Sequence, residues 1–424
     1  MNQKHNGLFS GYTFENWRNL VLAAIVCLYL INIIVTFRHG AVGDDFVAYW
    51  SVGRISNEKG FSQIYEIENL QTIYSHELKD LGYLIDIEDI TYSVPYLPFF
   101  VLPFHFLSRI NLSYSFWIWN IFNYIILFVY LLFFLERIKP GNEPVFNSLP
   151  LLVTAFISYP VFKNLTSGNV NVFLLVCIGE FIRHAVNKKP VLSGLWLGGL
   201  LLKPPLLILI LPIVLIMKKW QVLKGFSISS GTILLSSLFL AGFNGMMSLI
   251  NLWIGYPGDT FSNTAPEIMI NWRMVGFILD NQFNMSSGWV VVGLGIILTL
   301  FALFYHKKHI LDFGSPSWML AMLGVFSATI AITWHSHHYT AMILIPILIF
   351  ASVHKMLPEK IVFLWGTITP VFWFGTLIIG LFDYLLINIG VVEYSFMVIA
   401  ISGFVINLLI LFSTVIYQNG LKQL

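Results

Sequence analysis

Long apolar segments separated by short polar turns make up most of this chain. Apolar stretches of roughly 15 to 25 residues begin near residues 20, 93, 114, 149, 168, 190, 204, 225, 287, 317, 338, 361 and 391. A helix needs about 20 such residues to cross the hydrocarbon core of a bilayer. The pattern predicts an all-α, polytopic membrane protein with about 11–13 transmembrane or re-entrant helices. We predict one integral membrane domain over residues 1–424, whose first apolar run is a retained span rather than a cleaved signal.

Composition agrees with a membrane protein and excludes a soluble one. Of the 424 residues, 57% are hydrophobic and 10% are charged. Soluble domains carry about 25% charged residues to cover their surface. The net charge is only +2, and the basic residues lie in short turns rather than in a patch, so no nucleic-acid partner is expected. Cys27 and Cys177 both lie in apolar segments, which indicates no disulfide framework.

The distribution of Lys and Arg predicts which turns face the cytoplasm. Basic residues collect in short turns within residues 183–189, 218–224, 307–308 and 355–360, and such turns are typically cytoplasmic. Two long polar stretches are poor in Lys and Arg: a first loop, 38–92, and a second, 244–286. We therefore expect both loops on the opposite, non-cytoplasmic face.

This orientation constrains the middle of the chain. Because both flanks of residues 190–217 are predicted to be cytoplasmic, this stretch should form a hairpin of two short helices with Lys203, Pro204 and Pro205 at its tip. One earlier segment must then enter and leave on the same face. The broken stretch 159–171 is the best candidate.

Two adjacent carboxylates, Asp44 and Asp45, follow the first apolar segment. The spacing of Phe46, Tyr49 and Trp50 after them suits a short amphipathic helix lying on the membrane surface. An acid at its N-terminus would cap the helix and complement its dipole. Two acids in a row leave one free, however, and charge beside a membrane span usually has a function. The pair is therefore a candidate for a catalytic base.

Two breaks in apolar segments carry polar side chains. Residues 167–171 contain Asn169 and Asn171, whose amides could bind sugar hydroxyls or could merely cap a helix after a tight turn. The Gly-rich segment 194–205 allows close helix packing and then presents Lys203. That lysine either extends to an interface or holds an anionic group such as a lipid phosphate.

Three histidines lie between two apolar segments, within residues 333–339. A metal site is one interpretation of His335, His337 and His338, but their spacing matches no catalytic zinc signature. The others are structural histidines at an interface, or contact with phosphate or substrate. Arg273 in the second loop is either a surface residue or a bidentate phosphate ligand.

Taken together, these elements resemble the membrane glycosyltransferases of the GT-C fold, and most closely glycosyltransferase family 87. The matching elements are Asp45–Tyr49 followed by Gly60 and Tyr65, and then residues 92–103, 168–171, 194–204 and 334–339. Asn169 stands where the family pattern has Gln, and the last element carries extra histidines.

The resemblance implies a GT-C-type bundle that transfers one hexose, mannose, with inversion. The donor would be a polyprenyl-phosphate sugar and the acceptor a glycan or glycolipid, on the non-cytoplasmic face of the plasma membrane. Neither a cofactor nor a metal is expected. Asp45 would be the general base and Asp44 its support. The expected substrate-binding residues are Tyr49, Asn169, Asn171, Lys203, Arg273, His335, His337 and His338.

Two other classes fit parts of the pattern. A transporter or flippase of a lipid-linked or amphipathic solute also buries charge and breaks helices near the membrane midplane. Such proteins usually show paired halves, whereas this chain has a long acidic loop near its start and no evident internal repeat. A scaffold without activity would need none of the charged residues above.

Overall fold

The computed structural model describes residues 13–38, 42–78, 94–139, 141, 148–259, 265–382 and 392–420. Nearly all of these residues are helical, and an isolated antiparallel bridge joins Met269 to His337. The prediction of an all-α protein is confirmed.

The described N-terminal part begins with a long apolar helix and continues into the predicted first loop, whose described residues, 42–78, are largely helical. Its helices are α1 (Phe14–Arg38), α2 (Asp44–Glu58), α3 (Ile67–Ile73) and α4 (Pro98–Leu107), with a 3-10 turn at Phe61–Gln63 and a π-helical turn at Tyr74–Leu78.

The middle of the chain consists of one long helix and several short ones. They are α5 (Leu112–Ile138), α6 (Leu149–Phe156), α7 (Tyr159–Ser167), α8 (Asn171–Val186), α9 (Pro190–Leu197) and α10 (Leu207–Ile216), with 3-10 turns at Gly198–Leu202 and Pro204–Leu206. Breaks therefore flank α7, within the stretch predicted to re-enter the membrane. Lys203 separates two helical halves, as its two following prolines predicted.

The C-terminal part contains the longest helices. They are α11 (Trp220–Asp259), α12 (Trp272–Gln282), α13 (Gly288–Phe304), α14 (Lys307–Ile310), α15 (Pro316–Ile332), α16 (Ile345–Val353), α17 (Glu359–Phe382) and α18 (Val392–Gly420), with 3-10 turns at Pro266–Ile268 and His338–Leu344. α11 is kinked at Gly242, whose φ of 65° interrupts its helical geometry.

Five helices in the described ranges are long and apolar enough to cross a membrane. They cover Phe14–Val35, Leu112–Ile138, Trp220–Ile254, Glu359–Leu381 and Ser395–Gln418. Shorter apolar helices cover Pro98–Leu107, Pro190–Leu202, Pro204–Ile216, Gly288–Phe304, Pro316–Ile332 and His338–Val353. The chain is a polytopic helical membrane protein.

The structure corrects the predicted position of α2. The helix exists where it was predicted, but nine of its 15 residues are buried within the protein. It therefore packs among other helices and is not a peripheral helix with one face on the membrane surface and the other in water. The reason is Gly53, where an added Cβ would overlap the backbone of Phe104, so that α2 and α4 approach each other closely. The spacing of apolar residues predicted the helix, but it could not reveal this second packing surface.

The predicted second loop also contains helices. α11 continues to Asp259, and α12 occupies Trp272–Gln282. The start of this region contacts the first loop, because Ser248 donates a hydrogen bond of 3.3 Å to Glu66. Close by, Trp253 donates one of 3.0 Å to the carbonyl of Pro95, just after that loop. These described parts of the two stretches therefore lie side by side.

Candidate active site

The site is built where the N-terminus of α2 meets the C-terminus of α7. A Cβ at Gly43 would overlap the backbone of Ser167, so only glycine allows this approach. The last residue of α7 is Ser167, and the capping residue that follows it, Gly168, has a φ of 68°. The N–H of Asn169 bonds to the carbonyl of Asn164 at 2.9 Å, and that of Gly168 bonds to the carbonyl of Leu165 at 3.1 Å. This is the Schellman ending that glycine favours, and it directs Asn169 towards α2.

Asp45 is held by Asn169 across this junction. The Nδ2 group of Asn169 donates a hydrogen bond of 2.8 Å to Oδ2 of Asp45. Asp45 is partly buried, whereas Asp44 is exposed. Both lie in the first turn of α2, but its N-cap is Gly43 and no side chain caps the helix. The capping interpretation of these acids is therefore wrong for side-chain hydrogen bonds, although both still face the positive end of the helix dipole.

Several charges act on the Asp45 carboxyl. Burial, and after it the charge of Asp44, raise its pKa from its usual value to about 7. The Asn169 hydrogen bond, Lys163 and Lys203 oppose this rise. A carboxyl with these neighbours can exchange a proton near neutral pH, which suits general-base chemistry.

Tyr49 lies one turn along α2 from Asp45. Its hydroxyl is 3.2 Å from that of Tyr96, and Tyr65 donates a hydrogen bond of 2.6 Å to the carbonyl of Tyr96. Tyr49 also lies close enough to Asp45 and Tyr339 to interact electrostatically with both. A group of contacting tyrosines thus begins one helical turn from the carboxylate on the α2 side.

Lys203 enters the site from the break between α9 and α10. It is buried, donates a hydrogen bond of 2.8 Å to Thr340, and its ammonium lies 5.0 Å from the ring centroid of Tyr339. Burial lowers the pKa of Lys203 to about 8, and the charge of Asp45 opposes this effect. In the described structure its hydrogen bond goes to a neutral hydroxyl, so its charge remains available to an anion.

Arg273 reaches the same region through backbone pairing. The N–H of Ile270 bonds to the carbonyl of Ser336 at 2.8 Å, and Asn271 donates a hydrogen bond of 2.8 Å to the carbonyl of Thr333. These bonds hold the start of α12 against the histidine segment. Arg273 is buried there, with its guanidinium 4.4 Å from the ring centroid of Trp334.

The histidines are neutral rather than cationic. His335 and His337 pack edge to face, with ring centroids 4.7 Å apart. Burial, together with the charges of Lys203 and Arg273, lowers the pKa of His335 to about 3. Burial also holds the pKa of His337 well below its usual value. The cations of the site are therefore lysine and arginine, while these imidazoles can donate and accept hydrogen bonds.

His338 and the amides of Asn169 and Asn171 are engaged with the protein. His338 packs edge-on against Tyr159, with centroids 4.8 Å apart, and a Cβ at Gly403 would overlap its ring. Asn171 donates a hydrogen bond of 2.7 Å to Oδ1 of Asn169. Their assignment to substrate binding remains a prediction. Within the described ranges, no group of three or more His, Cys, Asp or Glu side chains is placed to hold a metal ion.

Sequence reasoning missed Lys163 and Asn164, both on α7. The charge of Lys163 acts on Asp45, His337 and His338. Its sequence signal was a lysine in an otherwise apolar stretch, where charge is rarely retained without a function. Asn164 contacts Asn171 and Asn169, and nothing in its sequence position indicated this.

Comparison with known proteins matches the chain to a protein family. The family model described as glycosyltransferase family 87 matches residues 95–335, more than half of the chain. The matched range includes Asn169, Lys203, Arg273 and His335, and it begins after Asp45. A search of curated proteins and a search of solved structures each find no match.

Proposed function

Because the chain belongs to glycosyltransferase family 87, we propose that it transfers mannose from a polyprenyl-phosphate donor to a hydroxyl of a glycan or glycolipid, with inversion at the anomeric carbon. We place the reaction at the non-cytoplasmic face of the plasma membrane. Glycosyl transfer follows from the family. The sugar, the lipid-linked donor and the acceptor are the proposal, and the choice of mannose is based on the motif resemblance.

The observation that carries the proposal is the proximity of a carboxylate to lysine and arginine side chains, of which Lys203 and Arg273 are buried. Asp45 lies close enough to Lys163 and Lys203 for their charges to act on its pKa. Lys203 and Arg273 in turn both act on His335. Transfer from a sugar phosphate needs a base for the acceptor and positive charge for the departing phosphate. The site offers both within one region.

In this mechanism, Asp45 accepts the proton of the acceptor hydroxyl as its oxygen attacks the anomeric carbon. A new bond forms between that oxygen and the carbon, and the bond from the carbon to the phosphate oxygen breaks on the opposite face. Both bonding electrons leave with the polyprenyl phosphate. A single displacement of this kind inverts the configuration, and a phosphate leaving group needs little help from an acid.

The phosphate would lie near Lys203 and Arg273. Arg273 offers a planar guanidinium suited to phosphate oxygens, and Lys203 offers a compact charge. His335 and His337, being neutral, would contribute hydrogen bonds rather than charge. In a site with little water these groups act more strongly on developing charge than they would in solution.

A lipid-linked donor fits a site set among apolar helices. Lys203 lies between the apolar segments Pro190–Leu202 and Pro204–Ile216. His335 and His337 precede a further apolar segment, which begins at His338 itself and ends at Val353. A prenyl chain could remain in hydrocarbon while its phosphate reaches Lys203 and these two histidines. Membrane lipid would thus surround the reaction, and no cofactor enters the scheme.

The donor class is tested by supplying the purified full-length protein with two labelled mannose donors. Polyprenyl-phosphate mannose and a nucleotide mannose are each incubated with a membrane glycolipid extract as acceptor. The proposal expects labelled product, with stoichiometric release of polyprenyl phosphate, only from the lipid-linked donor. Transfer from the nucleotide sugar alone would reject the proposed donor.

A further inference from the structure

Three buried asparagines form a hydrogen-bonded relay that ends at Asp45. Asn164, Asn169 and Asn171 are 1%, 2% and 0% exposed, respectively. Asn171 donates from Nδ2 to Oδ1 of Asn164 at 3.2 Å and to Oδ1 of Asn169 at 2.7 Å. Asn169 then donates to Oδ2 of Asp45 at 2.8 Å. Buried amides with this much internal bonding are held in one arrangement.

Backbone donors fix the direction of the relay at two points. The N–H of Val170 donates to Oδ1 of Asn169 at 2.7 Å. The N–H of Asn171 donates to Oδ1 of Asn164 at 3.2 Å. A backbone N–H can only donate, so the side-chain atom that it meets must be the oxygen of the amide. Neither Asn164 nor Asn169 can reverse its amide without losing such a bond.

The orientation of Asn171 depends on Asn164. The Nδ2 group of Asn171 lies between two fixed oxygens, those of Asn164 and Asn169. Without Asn164, the Asn171 amide would keep only the Asn169 oxygen as an acceptor, and the backbone carbonyl of Asn169 would lose the Nδ2 donor that lies 3.4 Å away. Asn169 would then be held by fewer bonds, and the N–H group that contacts Asp45 would be positioned less firmly.

We propose that Asn164 is a positioning residue for the reaction, acting through Asn171 and Asn169 to keep an N–H donor directed at Oδ2 of Asp45. This inference rests on the proposed role of Asp45 as the general base. The relay can only donate to the carboxylate, so it favours the ionised base and leaves the other carboxyl oxygen for the acceptor hydroxyl. It works among the charged and titratable groups that face Asp45, which are Asp44, Tyr49, Lys163 and Lys203.

The test replaces Asn164 with an apolar side chain of similar size. In Asn164→Leu, kcat for transfer from labelled polyprenyl-phosphate mannose should fall roughly tenfold, because a small misplacement of a catalytic group is costly. The KM for this donor should stay within about twofold. In the pH profile of kcat, the acidic limb is the fall in kcat at low pH. Its midpoint should move to a pH higher by roughly half a unit or more, since a weakened N–H bond destabilises the carboxylate.

Asn407 supplies a matched control. It is also 1% exposed, and it donates a hydrogen bond of 3.0 Å to the carbonyl of Ser327, between α18 and α15. Asn407→Leu removes an equally buried amide outside the relay. Its pH profile should coincide with that of the unsubstituted protein, even if its thermal stability falls.

A double-mutant cycle decides whether Asn164 acts through Asn169. If it does, Asn164→Leu should shift the acidic limb in the unsubstituted background and should have no further effect when Asn169 is already Leu. If Asn164→Leu does not accumulate as folded protein, Asn164→Ala takes its place in the same cycle. The proposed role of Asn164 would be overturned if its substitution left the acidic limb unmoved. It would also be overturned if the substitution shifted the limb equally in the unsubstituted and the Asn169→Leu backgrounds.

Failure of the relay is distinguishable from failure of the proposed base. If Asp45→Asn is inactive while Asn164→Leu leaves the limb unmoved, Asp45 remains the base and only the relay is rejected. If Asp45→Asn retains near-normal transfer, the proposed base is rejected, and the relay with it.

Discussion

Asn169 donates a hydrogen bond of 2.8 Å to Oδ2 of Asp45, although 124 positions separate the two residues in the chain. This contact joins the N-terminus of α2 to the turn that follows the C-terminus of α7. It occupies one carboxyl oxygen and leaves the other to contact an acceptor. The predictions below follow from this contact and from the charges around it.

The first prediction concerns pH. Because burial raises the pKa of Asp45 to about 7, a substantial fraction of the free enzyme carries a protonated base at neutral pH. The base must be ionised to act, so kcat/KM should fall as the pH decreases through about 7. The measurement is initial transfer rate at low donor concentration across pH 5 to 9, roughly the range in which such a group titrates.

Removing charges near Asp45 should shift the acidic limb of the pH profile in opposite directions, depending on the sign of the charge. Asp44→Asn removes a negative charge that raises the pKa of Asp45, so the acidic limb should move to lower pH. Lys163→Met removes a positive charge that lowers this pKa, so the limb should move to higher pH. Shifts in the same direction for both variants would show that the limb does not report on Asp45.

The second prediction concerns Lys203 and the donor phosphate. Lys203→Met keeps much of the apolar stem and removes the buried charge. A charged hydrogen bond contributes about 1.5–3 kcal/mol, so the KM for polyprenyl-phosphate mannose should rise roughly ten- to hundredfold. Inhibition by free polyprenyl phosphate should weaken in parallel.

Lys219 provides the control for that substitution. It lies in the turn between α10 and α11, with its ammonium 5.7 Å from the ring centroid of Phe313. Lys219→Met should leave the donor KM and the inhibition constant unchanged. Equal effects of the two substitutions would indicate a general response to lost positive charge rather than a phosphate site.

The third prediction concerns the helix ending that presents Asn169. Gly168→Ala forces a side chain into a φ of 68° and would make its Cβ collide with Phe46. Strain and overpacking together should destabilise the protein by roughly 2–6 kcal/mol. The melting temperature in detergent should fall clearly, and activity should fall with it.

Gly141→Ala is the comparison, because Gly141 has a φ of 62° but no atom of the described residues lies within 4 Å of an added Cβ. It should show the backbone strain alone, about 1–3 kcal/mol. If the two variants melted at the same temperature, the proposed close contact between α2 and α7 would be contradicted.

The fourth prediction concerns topology. Single cysteines placed at exposed Glu68 and Ser286, in a variant without Cys27 and Cys177, should react with an impermeant thiol reagent added outside intact cells. The reason is the scarcity of Lys and Arg in both loops. Cysteine at exposed Lys189 should react only after the membrane is opened. If Glu68→Cys reacted only in opened membranes, the first loop would face the cytoplasm. The support that its predicted non-cytoplasmic position gives to a polyprenyl-phosphate donor would then be lost.

The sequence predicted the helices well because membrane helices are long and apolar. The segment starts near 149, 190, 287 and 317 lie within about three residues of α6, α9, α13 and α15. The burial of α2 could not be predicted, since it depends on Gly53 meeting the backbone of Phe104 from another helix. A glycine does not alter the spacing of apolar and polar residues, so this spacing could not predict the close approach of the two helices.

The sequence indicated Lys203 and Arg273 as charged members of the candidate site, but it missed the charged Lys163 and the supporting Asn164. Lys203 and Arg273 stood out because charge is costly near a bilayer. Asn164 did not, because a buried amide acquires its role from partners that only the fold brings together, here Asn171 and Asn169. The neutral state of His335 could not be predicted either, since it depends on the burial of the imidazole and on the two cations beside it.

Asp45 as the general base is the central claim, and one pair of isosteric substitutions tests it most directly. Transfer from radiolabelled polyprenyl-phosphate mannose is measured for Asp45→Asn and Asp44→Asn, with yield and melting temperature matched to the unsubstituted protein. The account predicts that Asp45→Asn lowers transfer roughly 10²-fold or more while the folded protein is retained. Asp44→Asn should retain most activity, since Asp44 is exposed and makes no capping bond. Near-normal transfer by Asp45→Asn would contradict the account, and loss confined to Asp44→Asn would assign the base to Asp44.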